Sequence, residues 1–193
     1  EALADYYDEA ADGDIIKSQN EFAIFSDDGA GHRLWRGNLS YLKAGEGYMM
    51  KRTAATPASF TYPVLQTNGS YALASPQQMR GTETGETFRN PYASSMTMVA
   101  QVTGIDLEPG DRLAAYAGNE LRGIATAAPD GRFYLSIGGD MAEALRMELL
   151  RGETTVAQTA SPVGYTVNAV SGTYLAPTQI NFASAAGCKA GPN

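Results

Sequence analysis

From Met96 to Leu150, short runs of alternating apolar and polar residues are cut by turn signals about every eight to twelve residues. The run 96–102 precedes Glu108-Pro-Gly-Asp111, 112–117 precedes Gly118-Asn119, and 120–126 precedes Pro129-Asp-Gly131. Residues 132–137 then lead into Gly138-Gly-Asp140, and 145–150 close at Arg151-Gly152. Successive side chains on a strand point to opposite faces. Met96, Met98, Ala100 and Val102 therefore share a face opposite Thr97, Val99 and Gln101. Phe133, Leu135 and Ile137 lie opposite Tyr134 and Ser136, and Leu145, Met147 and Leu149 lie opposite Arg146 and Glu148. This period predicts a mainly all-β chain with an antiparallel β-sandwich over 59–182. Met98, Val102, Leu113, Phe133, Leu135, Ile137, Leu145, Met147 and Phe182 are its expected core.

The flanks read less regularly. Leu3, Tyr6, Tyr7 and Ala10 recur at helical spacing, which predicts a short N-terminal helix ended by Asp12-Gly-Asp14. Residues 14–25 read as one strand, 26–31 as a loop, and 33–36 and 47–51 as further strand pieces. The Thr/Ala/Pro stretch 53–57 is the linker candidate. Asn68-Gly69, between 59–66 and 71–74, signals a hairpin, and 77–90 read as a long surface loop. Late strands are expected over 154–160, 164–168 and 174–182. The expected organisation is a small N-terminal β-rich module (1–54), the sandwich (55–183) and a flexible C-terminal tail (184–193).

Charge removes one class of partner. A formal net charge of -7, with the basic residues scattered, argues against nucleic acid, which needs a concentrated basic surface. No stretch is apolar for long enough to span a membrane as a helix. The single cysteine, Cys188, sits in a small-residue tail and can form neither an internal disulfide nor a cysteine-rich metal site. Because the sequence opens on Glu1 rather than Met, the expectation is a processed or cut product, with any export signal or lipid anchor upstream.

Candidate chemistry is sparse. His32 is the only histidine, and no Gly-x-Ser-x-Gly elbow accompanies it, so no catalytic residue is assigned. A glycosidase-type carboxylate pair remains the enzymatic alternative, although most Asp residues stand at turns, where they accept backbone hydrogen bonds. No cofactor or metal is assigned either. Calcium at Asp8, Asp12 and Asp14, or at Asp27 and Asp28, is the sharpest metal reading, but neither stretch matches the twelve-residue calcium loop. Asn38-Leu-Ser40 and Asn68-Gly-Ser70 match the glycosylation sequon, a pattern short enough to arise by chance. Trp35, Tyr41 and Tyr48 are the candidate ligand-contact residues, as a platform for a sugar ring. The competing reading places Trp35 in a small core with Phe22, Leu42 and Tyr48.

Two phrases carry a resemblance. Asp14-Ile-Ile-Lys-Ser-Gln-Asn-Glu-Phe-Ala-Ile-Phe25, with Leu34-Trp-Arg-Gly-Asn-Leu-Ser-Tyr-Leu-Lys-Ala-Gly-Glu-Gly-Tyr-Met-Met-Lys51, resembles a module of secreted and cell-surface proteins of Bacteroides-type bacteria. Lys43-Ala44 stands where that module often has Glu-Pro. Met96-Thr-Met-Val-Ala100, followed by residues 107–125, is similar to a β-rich module that often follows it. Together the phrases cover most of residues 12–150. The resemblance implies an exported, envelope-associated, β-rich protein, part of a larger multidomain chain, and brings no catalytic residue with it. The expected function is a non-enzymatic extracellular or cell-surface module for adhesion, glycan or protein binding, or surface assembly. The alternative is an extracellular hydrolase, carbohydrate-active or otherwise, built on a carboxylate pair.

Overall fold

The computed structural model describes residues 10–42, 46–55 and 88–182. Among them every regular element is a strand, so the described chain is all-β. The expected N-terminal helix lies outside the described residues except for Ala10 and Ala11, which are not helical. The Asn68-Gly69 hairpin and the 184–193 tail also lie outside them, as does all of the 77–90 loop but its last three residues.

The first sheet comes from the N-terminal segment. Its strands are β1 (Ile15–Lys17), β2 (Phe22–Asp27), β3 (Arg33–Gly37) and β4 (Met49–Lys51), in the order β3-β2-β1-β4 and all antiparallel. Residues 14–25, expected as one strand, are a hairpin. The turn forms because the Ser18 hydroxyl accepts hydrogen bonds from the backbone N–H groups of Asn20 and Glu21, at 3.4 and 3.1 Å. A serine hydroxyl competing in this way with the strand ladder reverses the chain without glycine or proline.

The remaining strands form two sheets. β6 (Arg112–Ala117), β7 (Glu120–Thr126), β9 (Glu143–Arg151) and β10 (Thr154–Gln158) run in the order β10-β9-β6-β7, and β11 (Val163–Tyr165) pairs with β9. β5 (Ser95–Thr103) pairs antiparallel with β8 (Arg132–Gly138). On its other side it takes β12 (Val170–Ser171) and then β13 (Thr178–Asn181) in parallel. Two parallel pairings thus join an otherwise antiparallel set, because the chain runs alongside β5 twice in one direction. The link between them turns at Gly172, with φ +75°, where a Cβ would lie 2.4 Å from the Val99 carbonyl oxygen. Only glycine fits there.

One apolar cluster joins these two sheets. Met98, Val102, Leu113, Phe133, Leu135, Ile137, Leu145, Met147 and Phe182 are all buried in it, as the alternation predicted. The opposite face of β5 and β8 is largely buried as well, Gln101 and Thr103 excepted. Ile15, Phe22 and Ile24 of the first sheet pack there against Val99 and Tyr134. The turn between β1 and β2 adds polar ties. Gln19 Nε2 donates to the carbonyls of Asn90 and Tyr92 at 3.1 and 3.0 Å. Asn20 Oδ1 accepts from the Asn90 N–H at 2.8 Å, and Lys17 Nζ donates to the Ser95 carbonyl at 3.0 Å.

Candidate functional site

The three candidate aromatics are not one platform. Trp35 sits half-buried on the first sheet's far face, edge-on to Phe25 at 5.3 Å between ring centroids. It packs with Ile16, Ala23, Leu39, Leu42 and Tyr48. Phe22, expected beside Trp35, belongs to the opposite face and meets Tyr134 at 6.2 Å. Ile15 and Ile16 divide in the same way, because adjacent strand residues alternate. Tyr41 is exposed and outside this cluster.

The aspartates considered for calcium have local partners. Asp14 is fully buried and accepts from Ala11 N–H at 3.1 Å and from Thr53 N–H and hydroxyl at 2.7 and 2.9 Å. Thr53, the first residue of the linker candidate, is pinned to this carboxylate. Asp12 Oδ1 accepts from Asp27 N–H, and Asp27 faces Arg33 at 3.3 Å. Asp28 accepts from the N–H groups of Ala30 and His32 and meets His32 Nδ1 at 2.6 Å. The His32 hydrogen bond is the main reason its carboxyl lies below the usual range. Among the described residues no three His, Cys, Asp or Glu side chains converge as metal ligands would. Asp8 lies outside those residues.

The Asp28–His32 pair resembles two members of a nucleophile-activating relay. Its members stand four positions apart in one hairpin loop, and the imidazole is exposed. No described hydroxyl or thiol hydrogen-bonds to its ring.

Carboxylates meet in two further places, each around a guanidinium. Arg122 lies within 3.5 Å of Glu120 and 3.2 Å of Glu143, and its guanidinium stacks 4.3 Å from the Tyr92 ring. The Tyr92 hydroxyl donates to Glu120, which raises the phenol above its ordinary pKa. Arg151 reaches Glu108 at 2.6 Å and grips both oxygens of buried Asp111 at 2.9 Å. That grip holds the Asp111 carboxyl below its usual range. A glycosidase acid needs the opposite shift.

One groove differs from these locked clusters. It has a volume of about 210 Å³ and opens where the first sheet overhangs β5 and β12. Ile15, Met49, Met50 and Val170 supply apolar wall, and Lys17, Lys51, Thr97 and Asn168 supply polar groups. Lys51 pairs with Ile15 in the β1–β4 register, so Lys51 and Lys17 emerge on the same face. No described carboxylate lies within ion-pair distance of either ammonium group. Burial first, and the charge of Lys51 second, push the Lys17 ammonium below its ordinary pKa. Lys17 is held by Ser95 and by Asn168 Oδ1 at 3.4 Å. Asn168 is the one non-glycine described residue with positive φ, at 57°. The Thr97 hydroxyl is buried without a hydrogen-bond partner among the described residues.

Sequence reasoning missed all four polar residues. A signal did exist for Lys17, which falls in step with buried Ile15 on β1 and so occupies an inward position of its strand. Charged residues at inward positions need a reason. No family model matches the chain, and neither does any curated protein or solved structure.

Proposed function

We propose that this chain is a non-enzymatic binding module of an extracellular or cell-surface protein, serving protein or glycan contact. In this reading the two sheets sharing the large core form a β-sandwich scaffold. The segments 1–54 and 55–183 then act as adjoining modules of a larger chain. The carrying observation is the groove beside β4, where two ammonium groups without carboxylate partners among the described residues stand on apolar walls. Apolar surface with a few convergent polar groups is what recognition sites present. The exported location rests on the resemblance of residues 14–51 to the Bacteroides-type surface module.

The hydrolase alternative draws no support from the carboxylate clusters, because a guanidinium stands at each. The test is a panel of glycosidase, esterase and peptidase substrates, with glycan and peptide arrays, applied to the wild type and His32→Ala. Array binding without turnover, unchanged in His32→Ala, is expected. Turnover that collapses in His32→Ala would overturn the reading, since a general base contributes about a hundred- to ten-thousand-fold in rate. Turnover surviving that change and lost in Glu143→Gln would point to a carboxylate mechanism.

A further inference from the structure

We propose that the groove beside β4 receives an extended acidic polypeptide segment, which adds as a strand to the open edge of β4 and sets a carboxylate against Lys17 and Lys51. This rests on the binding-module reading and names the class of partner.

Three observations converge. β4 ends the order β3-β2-β1-β4, and among the described residues it pairs with β1 alone. An unpaired edge presents backbone donors and acceptors in the spacing that another strand completes. The groove is also small. Whole-ligand pockets enclose roughly 300–1,000 Å³, whereas this one holds about 210 Å³, enough for a side chain or two of a longer ligand. Alternate side chains of an added strand would enter it while the others face solvent.

The third observation is charge. The chain is acidic overall, yet two of its four lysines meet in this groove. Seven of its arginines are already in ion pairs with carboxylates. A ligand carboxylate would supply the counter-charge that no described residue provides. Met49 and Met50, 55 % and 40 % exposed, would then be covered by apolar residues of the segment. Methionine adapts to varied partners, which suits recognition of a class of segments rather than one sequence.

The experiment uses the full chain with ¹³C-methyl-labelled methionine. The probes are acetyl-Thr-Val-Glu-Val-Glu-Thr-amide, the same peptide with Lys for Glu, and decanoate. The expected result is saturable movement of the Met49 and Met50 methyl signals with the acidic peptide, weakened about tenfold or more in Lys51→Glu and by added salt. Exposed Met141, outside the groove, should stay in place. Lys51 is exposed and makes no described ion pair, so Lys51→Glu should fold, which the unchanged spectrum of the buried methionines would verify. Equal response to the basic peptide, or undiminished binding in Lys51→Glu, would overturn the proposal and leave these lysines as guards of an edge strand. Movement with decanoate but not with the peptide would overturn the strand as occupant. Array binding that leaves Met49 and Met50 unmoved would refute this site while the binding-module reading survives.

Discussion

On one face of the β5–β8 pair, Met96, Met98, Ala100, Phe133, Leu135 and Ile137 meet the side chains of β6 and β9. On the other face, Ser95, Thr97, Val99, Tyr134 and Ser136 are buried under or beside the first sheet, with Ile15, Phe22 and Ile24 against Val99 and Tyr134. Both faces exclude water, but only the first is built almost wholly of apolar contact. The second combines a few apolar residues with hydrogen bonds donated by Lys17 and Gln19 and one accepted by Asn20. Apolar contact stabilises in proportion to area and has no direction, whereas hydrogen bonds fix position with modest net stabilisation. The inner face therefore contributes most of the stability. The outer face sets where the first sheet sits, and so where β4 overhangs the groove.

The sharpest way to break this comparison is truncation on each face. Phe133 is fully buried on the inner face, and Phe133→Ala should cost about 3–5 kcal/mol. Val99→Ala on the outer face removes a smaller side chain from a mixed surface and should cost about 1–2 kcal/mol. Urea unfolding of both variants checks the ranking. Equal costs would mean that the two faces are energetically alike.

Asp111 and Arg151 tie the turn before β6 to the end of β9, at the margin of the inner core. Asp111→Ala strips a buried, bidentate partner from Arg151. Since the Arg151 side chain keeps 34 % of its surface in water, a cost of about 2–3 kcal/mol is expected rather than that of a fully buried pair. The sign with pH follows from the carboxyl being held below its ordinary value. Its contribution is present above the unfolded-state pKa, about 3.9, and is lost as pH falls through the lower folded value. The gap between wild type and variant should thus close on acidification below about pH 4. A gap that stays open would assign the cost to packing instead.

Gln19→Ala tests the outer face by its polar ties. It removes two hydrogen bonds to backbone carbonyls and should cost about 1–2 kcal/mol. Amide exchange should rise in β1 and β2 while the inner strands stay protected. Uniform loosening of all strands would show that the two faces unfold as one unit.

These two faces were not equally legible in the sequence. The inner one could be read from alternation, because Leu145-x-Met147-x-Leu149 and Phe133-x-Leu135-x-Ile137 carry the period of a half-buried strand. The same rule put Thr97, Val99 and Ser136 only on the opposite face, since alternation marks the greasier face and is silent about a second face covered by another sheet. The hairpin at Ser18 escaped notice because its turn is made by a hydroxyl rather than by Gly or Pro. Trp35 and Tyr48 do share a cluster, but the period that separates Ile15 from Ile16 also sends Phe22 away from them. The groove residues come from 15–17, 49–51, 97 and 168–170, and no local pattern links positions so far apart.

The finest discrimination between the faces is electrostatic. Lys17 lies under the first sheet, and burial, then Lys51, lowers its ammonium pKa from the ordinary value. Between that lowered value and about 10.4 the unfolded chain holds more protons at this site than the folded chain, so folding stability rises with pH through the interval. Lys17→Met deletes the contribution while keeping an unbranched apolar stem. Wild type should gain stability relative to Lys17→Met as the pH is raised from 7 towards 10. Tyr92, Tyr134 and Tyr165, whose phenols are held above their ordinary pKa, work against stability at the alkaline end, but equally in both proteins. Phe133→Ala provides the contrast, since its cost lies in apolar contact and should not vary over the same range. Urea unfolding at several pH values measures both differences. A gap for Lys17→Met that stays flat or narrows would mean that this ammonium keeps its water, and that the outer face is looser than its packing implies.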